Sequence, residues 1–217
     1  MRLNIFSNLM AKYPQETSLE DIVRIMRTSK RLKSLCNQRV NHIAAGRKDS
    51  ADKIKRKQIP AFAPGALLYD GKGRKNVLGL TNLCFLESDH INEDELVKAK
   101  ELLSKDNHVV LVARSVSGDG IHFLVKYGFK DMEQPSYKNM GINRMNHTYG
   151  AVFKSLKNYY EDILKIPLDK SGMNMERLCL ISSDSDLYYN PDAFPIYFIY
   201  EQQNLNRKPK ILSRCPE

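Results

Sequence analysis

The chain has no apolar run near the roughly 20 residues that a membrane-spanning helix needs. Its first residues, MRLNIFSNLM, hold no apolar stretch followed by a small-residue cleavage site, so export is not expected and a cytoplasmic setting is. Cysteine is sparse: Cys36, Cys84, Cys179 and Cys215 lie far apart and form no CxxC pair, which excludes the close spacing used for zinc. Cys84 and Cys179 sit in apolar runs and read as buried thiols. No internal repeat or low-complexity tract is evident. No GxGxxG is present, which excludes the usual dinucleotide fingerprint of a doubly wound sheet.

Acidic residues are scarce in one stretch. Over the whole chain 34 Lys+Arg face 25 Asp+Glu, a net charge of +9. Between residues 24 and 57, twelve basic residues face only Asp49 and Asp52, which leaves that segment at +10 and the rest of the chain at −1. Clustered Lys and Arg gain by releasing phosphate counterions, so the segment points to a polyanionic partner. The same pattern also suits a solvated helical face. Lys53, Lys55, Arg56 and Lys57 are its densest run and the expected nucleic-acid contacts.

With 42% hydrophobic and 27% charged residues the chain is foldable, and not mainly disordered. Its 217 residues allow one large domain or two small ones. Residues 18–46 read as one or two amphipathic helices that open on a capping pattern, Ser18-Leu19-Glu20-Asp21, and stop at Gly46. Residues 47–57 read as a connector or short helix. From residue 59, prolines and glycines punctuate loop and strand. Residues 77–86 read as one buried strand, 92–105 as a helix, and 108–114 with 121–127 as a hairpin around SVSGDG. A helix over 143–165 and short strands at 178–182 and 196–200 follow. Strands interleaved with helices describe an α+β fold with a mixed or antiparallel sheet.

Three places hold residues suited to chemistry. Glu87 and Asp89 lie two apart at a strand end, so a period of two puts both carboxylates on one face. Two adjacent carboxylates repel unless a cation sits between them, and hard divalent ions take carboxylate oxygens. The pair also suits a plain polar strand end beside a turn. In SVSGDGIH, Gly118 and Gly120 let the backbone approach a ligand, Ser115 and Ser117 flank it, and His122 begins the returning strand. An ordinary hairpin turn with a satisfied histidine fits those residues equally well. Asp169 precedes a later loop, and Arg177 opens the next strand with a planar fork that matches phosphate oxygens. Asp184 competes with Asp169 for the part of a third acid, and an Asp near an Arg is often a structural ion pair.

The order of these motifs, an acid-x-acid strand end, an SxSGxGxH hairpin and a later Asp before an Arg-led strand, resembles the archaeo-eukaryotic primase superfamily. More closely it resembles the primase-polymerase-type domains called VirE amino-terminal domains, found in bacterial mobile elements and often fused to helicases. The resemblance spans residues 59–200, and IPAFAPGALL and RLCLISSDSDLYYNPDA add to it. It implies an RRM-like core behind a basic helical segment over 1–58, with a polar basic tail over 201–217. It implies Mg²⁺ or Mn²⁺ held by Glu87, Asp89 and Asp169, with these acids and His122 as catalytic residues. Ser115, Ser117, Gly118, Gly120, His122 and Arg177 become the expected nucleotide contacts. It also implies nucleoside triphosphates, a DNA template and primer, and a helicase domain or partner. Two departures stand out: the first acid is Glu87 where the family usually has Asp, and Ser88 stands where an apolar residue is usual. They favour a second expectation, a non-catalytic single-strand-binding module on a degenerate core.

Overall fold

The computed structural model describes residues 1–130 and 132–199. The expected tail over 201–217, and Tyr200 at the end of the last expected strand, lie outside the described residues. The elements in chain order are β1 (Arg2–Phe6), β2 (Gln15–Ser18), α1 (Leu19–Thr28), α2 (Lys30–Ala44), α3 (Lys48–Lys57), β3 (Ala61–Ala63), β4 (Ala66–Leu68), β5 (Val77–Leu80) and β6 (Leu83–Ser88). Next come α4 (Glu93–Ser104), β7 (Val109–Arg114), β8 (Ile121–Phe129), α5 (Ile142–Leu164), β9 (Cys179–Leu180), β10 (Tyr188–Tyr189) and β11 (Ile196–Phe198). The fold is α+β, with mostly antiparallel pairing.

The helices over 18–46 prove to be two. Ser18 caps α1, its hydroxyl accepting from the Asp21 amide at 3.0 Å. Ser29 then ends α1 and caps α2 by accepting from the Leu32 amide at 3.2 Å. A serine that bonds the backbone locally competes with helix continuation, and that competition splits the run. The stretch expected as a connector or short helix forms α3, Lys48–Lys57, with Ala51 and Ile54 buried.

Strand β8 is central. It pairs antiparallel with β6 from Leu83↔Lys126 to Ser88↔Ile121, and with β7 across the expected hairpin. Strand β11 joins it in parallel, and β10 pairs with β7. A second sheet runs in the order β2-β1-β3-β9. The single strand expected over 77–86 is two strands in different sheets: β5 pairs with β4, and β6 with β8. Thr81 makes the break. Its amide donates to the Gly65 carbonyl at 3.1 Å, its hydroxyl donates to the Pro64 carbonyl, and the same hydroxyl accepts from the Leu83 amide at 3.1 Å. Apolar residues on either side hid this turn from a reading of periodicity.

Alternation along β6 and β8 places the site. Cys84 and Leu86, with Phe123 and Val125, pack into a core shared with α4 and α5. Leu83 and Phe85, with Leu124, face the other way, into a core shared with α1, α2 and Phe62 of β3. Continuing each period of two brings Glu87 and His122 onto that second face, under the N-terminal layer. The layer is tied to the rest: β1 pairs with β3 from Asn4↔Ala63 to Phe6↔Ala61, and β3 pairs with β9. Backbone pairing therefore crosses the boundary expected at residue 58, and residues 1–18 supply two strands in a segment expected to be helical.

Candidate functional site

Beside the end of β6 lies a cleft of about 430 Å³, within the size range of small-molecule sites. Glu87, Asp89, Ser115, Ser117, His122 and Arg177 all line it. It thus gathers six expected residues from three separated motifs. Lys55 lines it too, and so does Arg39 of α2, which sequence reasoning counted only as one more basic residue.

Glu87 and His122 are direct cross-strand partners in the β6–β8 ladder. Glu87 is 6% exposed, and its carboxylate is fully engaged. Oε2 lies 3.3 Å from His122 Nε2, while Oε1 accepts from the Ser171 hydroxyl and lies 3.5 Å from Arg177 Nη2. Burial pushes its pKa up, but the hydrogen bond and charge of His122, then Ser171 and Arg177, more than offset that and hold it at about 2. Phe85 meets the His122 ring edge-on at 5.4 Å, and Cys179 Sγ lies 3.7 Å from Nδ1. Burial, then the Glu87 charge, keeps the Cys179 thiol protonated. The imidazole is thus held on three sides, with Nε2 donating to Glu87.

Three glycines allow this close construction. A Cβ on Gly120 would lie 2.6 Å from the Ser88 carbonyl oxygen and 2.8 Å from Asp89 Oδ1, so the hairpin can close on the end of β6 only with glycine there. Gly118 has φ 84°, and its amide donates to the Ser115 carbonyl at 3.0 Å. The short turn Ser171–Met173, which brings Ser171 to Glu87, packs through Gly172 against β6.

Asp169 and Asp184 do not join the acid pair in the cleft. The Asp169 amide donates to the Glu87 carbonyl at 2.8 Å, but its own carboxylate is exposed and accepts from the Ser171 amide at 3.0 Å. Asp184 accepts from the Arg114 amide at 2.9 Å, with Lys100 at 3.8 Å. Glu176 is the third carboxylate of the cleft, and it faces Arg74 at 3.6 Å. Among the described residues no group of three His, Cys, Asp or Glu is arranged to hold a metal ion. Asp169 does not line the cleft and its carboxylate turns to the Ser171 amide, so Glu87, Asp89 and Asp169 as arranged do not form the expected three-acid centre for Mg²⁺ or Mn²⁺.

The basic run divides in two. Lys53, Arg56 and Lys57 are exposed on the outer face of α3, whereas Lys55 is half-buried and turns to the cleft. The four residues expected to act together on nucleic acid thus serve two surfaces.

A family model described as "BT4734-like, N-terminal domain" matches residues 53–189, well over half of the chain. The chain belongs to this family. The matched span contains Glu87, His122 and Arg177 and excludes Arg39, with the layer of β1, β2, α1 and α2 around it. No curated protein and no solved structure matches the chain. No helix among the described residues is long and apolar enough to cross a membrane.

Proposed function

We propose that the cleft is the nucleotide site of a primase-polymerase-like domain, one that takes a nucleoside triphosphate against a nucleic-acid template during replication of a mobile element. The observation that carries this reading is the meeting of the Glu87/Asp89 strand end, the Ser115–Gly120 hairpin with His122, and Arg177 around one opening of nucleotide size. Paired strands hold Glu87 and His122, so the site is organised before a ligand arrives. Preorganised donors lower the cost of ordering a bound anion. Ser117 and Arg177 supply donors to phosphate oxygens, and Asp89 leaves an exposed carboxylate at the rim.

The engagement of Glu87 by His122, Ser171 and Arg177 favours a second reading, a module on the same core that binds single strands without transferring a nucleotide. The two separate in one series of experiments. Binding of deoxynucleoside triphosphates to the full chain is measured by calorimetry with and without Mn²⁺, beside primer extension on a DNA template. The first reading expects micromolar-range binding strengthened by Mn²⁺ and lost in Asp89→Ala. Single-strand binding with neither nucleotide affinity nor extension overturns it in favour of the second.

A further inference from the structure

Arg39 is an unusual arginine. It sits in the middle of α2 and is only 6% exposed, yet it forms no ion pair among the described residues. Its Nη1 donates to Ser117 Oγ at 2.7 Å, and its Nε has no partner among the described residues. A guanidinium stays charged at any working pH. Removing such a charge from water without a counter-charge costs several kcal/mol in effective terms, so folded proteins pair buried charges. A second orphaned donor lies on the same cleft: Ser115 is also 6% exposed, and its hydroxyl has no partner among the described residues. Lys55 lines the cleft as well and makes no ion pair among the described residues. Of the opposing charge, Glu87 is committed to His122 and Arg177, whereas Glu176 faces Arg74 through Oε1 only and keeps Oε2 buried without a partner among the described residues. Asp89 remains, and it lies at the rim.

We propose that Arg39, Ser115 and Lys55 form a phosphate-binding subsite, whose arginine is delivered by the N-terminal helices. The ligand that completes it is a tetrahedral oxyanion: its oxygens accept from Arg39 Nε and Ser115 Oγ, and its charge balances Arg39 and Lys55. Arginine suits this task because its donors are several, planar and fixed in direction. Choosing a nucleotide phosphate as that oxyanion rests on the function proposed above; the subsite itself rests on the orphaned donors. The layer outside the family-matched span is thereby a working wall of the cleft.

The test uses the full chain as wild type, Arg39→Met, which keeps the apolar stem, and Ser115→Ala. Four probes are titrated by calorimetry at low salt: a deoxynucleoside triphosphate, inorganic tripolyphosphate, orthophosphate and the unphosphorylated nucleoside. Thermal unfolding without ligand is recorded for each variant. The subsite predicts that wild type binds triphosphate and tripolyphosphate and does not bind the nucleoside. Arg39→Met weakens both phosphate probes tenfold or more, and Ser115→Ala weakens them severalfold. It also predicts that Arg39→Met unfolds at the same or a higher temperature, because an uncompensated buried charge has gone; a merely structural arginine would lower it. Orthophosphate binding as tightly as the nucleotide supports the subsite and assigns it to free phosphate. Nucleotide binding unchanged in a folded Arg39→Met and in Ser115→Ala overturns the subsite while the proposed function stands. Failure of wild type to bind any phosphate probe overturns both.

Discussion

Replacing Glu87 by glutamine probes the centre of the cleft with little change in shape. The amide keeps the side chain's size and removes its charge, so the ion pair with Arg177 is lost and the hydrogen bonds to the carboxylate from His122 and Ser171 weaken. The fall of the Glu87 pKa from 4.5 to about 2 corresponds to roughly 3 kcal/mol in favour of the ionised, folded state. Arg177 is half-exposed, and solvent screens its share, so the expected loss for Glu87→Gln at pH 7 is about 1–3 kcal/mol. The sign with pH follows from the lowered value. A carboxyl depressed by folding contributes its full stability above the unfolded pKa and loses it as pH falls toward the folded one. The gap between wild type and Glu87→Gln is therefore full at pH 7 and closes between 4.5 and about 2. Urea unfolding followed by circular dichroism at pH 7, 5, 4 and 3 reads this gap directly, since other titrations are common to both proteins. A gap under about 0.5 kcal/mol at pH 7, within the range of an ordinary surface change, refutes the ion-pair account. So does a gap of equal size at pH 7 and pH 3.

Three further outcomes are expected. Exchanging Lys53, Arg56 and Lys57 for glutamine lowers single-stranded DNA affinity and flattens its log–log salt slope by up to about 2, at roughly 0.7 per phosphate contact, while nucleotide binding stays intact. Loss of nucleotide binding in that variant would mean that the outer face of α3 and the cleft are one surface. Gly120→Ala brings a methyl group into the Ser88 carbonyl and Asp89, and costs about 1–3 kcal/mol, read as a fall in melting temperature. Asn92→Ala removes the capping box of α4, in which Asn92 and Glu95 satisfy each other's amides at 2.9 and 3.1 Å, and costs about 1 kcal/mol in urea unfolding.

Much of the central sheet was legible because it carries its own periodicity. Apolar runs with a Gly-containing loop between them announce β7 and β8, and helical spacing announces α4 and α5. The strands β1 and β2 were not legible as elements, and β3 and β4 were legible only as unbounded loop and strand, being short and joined by long-range pairing such as Phe6↔Ala61 that no local pattern encodes. The same holds within the site. Glu87 with Asp89 and the Ser115–His122 hairpin could be grouped from motif order, and Glu87, Asp89, Ser115, Ser117 and His122 line the cleft, whereas Gly118 and Gly120 shape the hairpin behind it. Asp169 could not be rejected that way, because its backbone reaches Glu87 while its side chain turns to Ser171. Arg39 was hidden among twelve basic residues. Its one signal was position: it lies three residues beyond Cys36 and four beyond Leu35, on the apolar stripe of α2 where a solvated cation does not belong.

The pairing of β1 with β3 has a bearing on how this protein is best divided. A chain trimmed to the family-matched residues 53–189 would begin inside α3 and lose β1, β2, α1 and α2. Strand β3 would keep β9 on one side and bare the edge that β1 now pairs, and Leu83, Phe85 and Leu124 would lose the helices that cover them. Bare rims of that kind recruit other chains. The stretch that the family model matches is therefore shorter than the stretch that covers its own sheet edge, and the difference is the layer that carries Arg39.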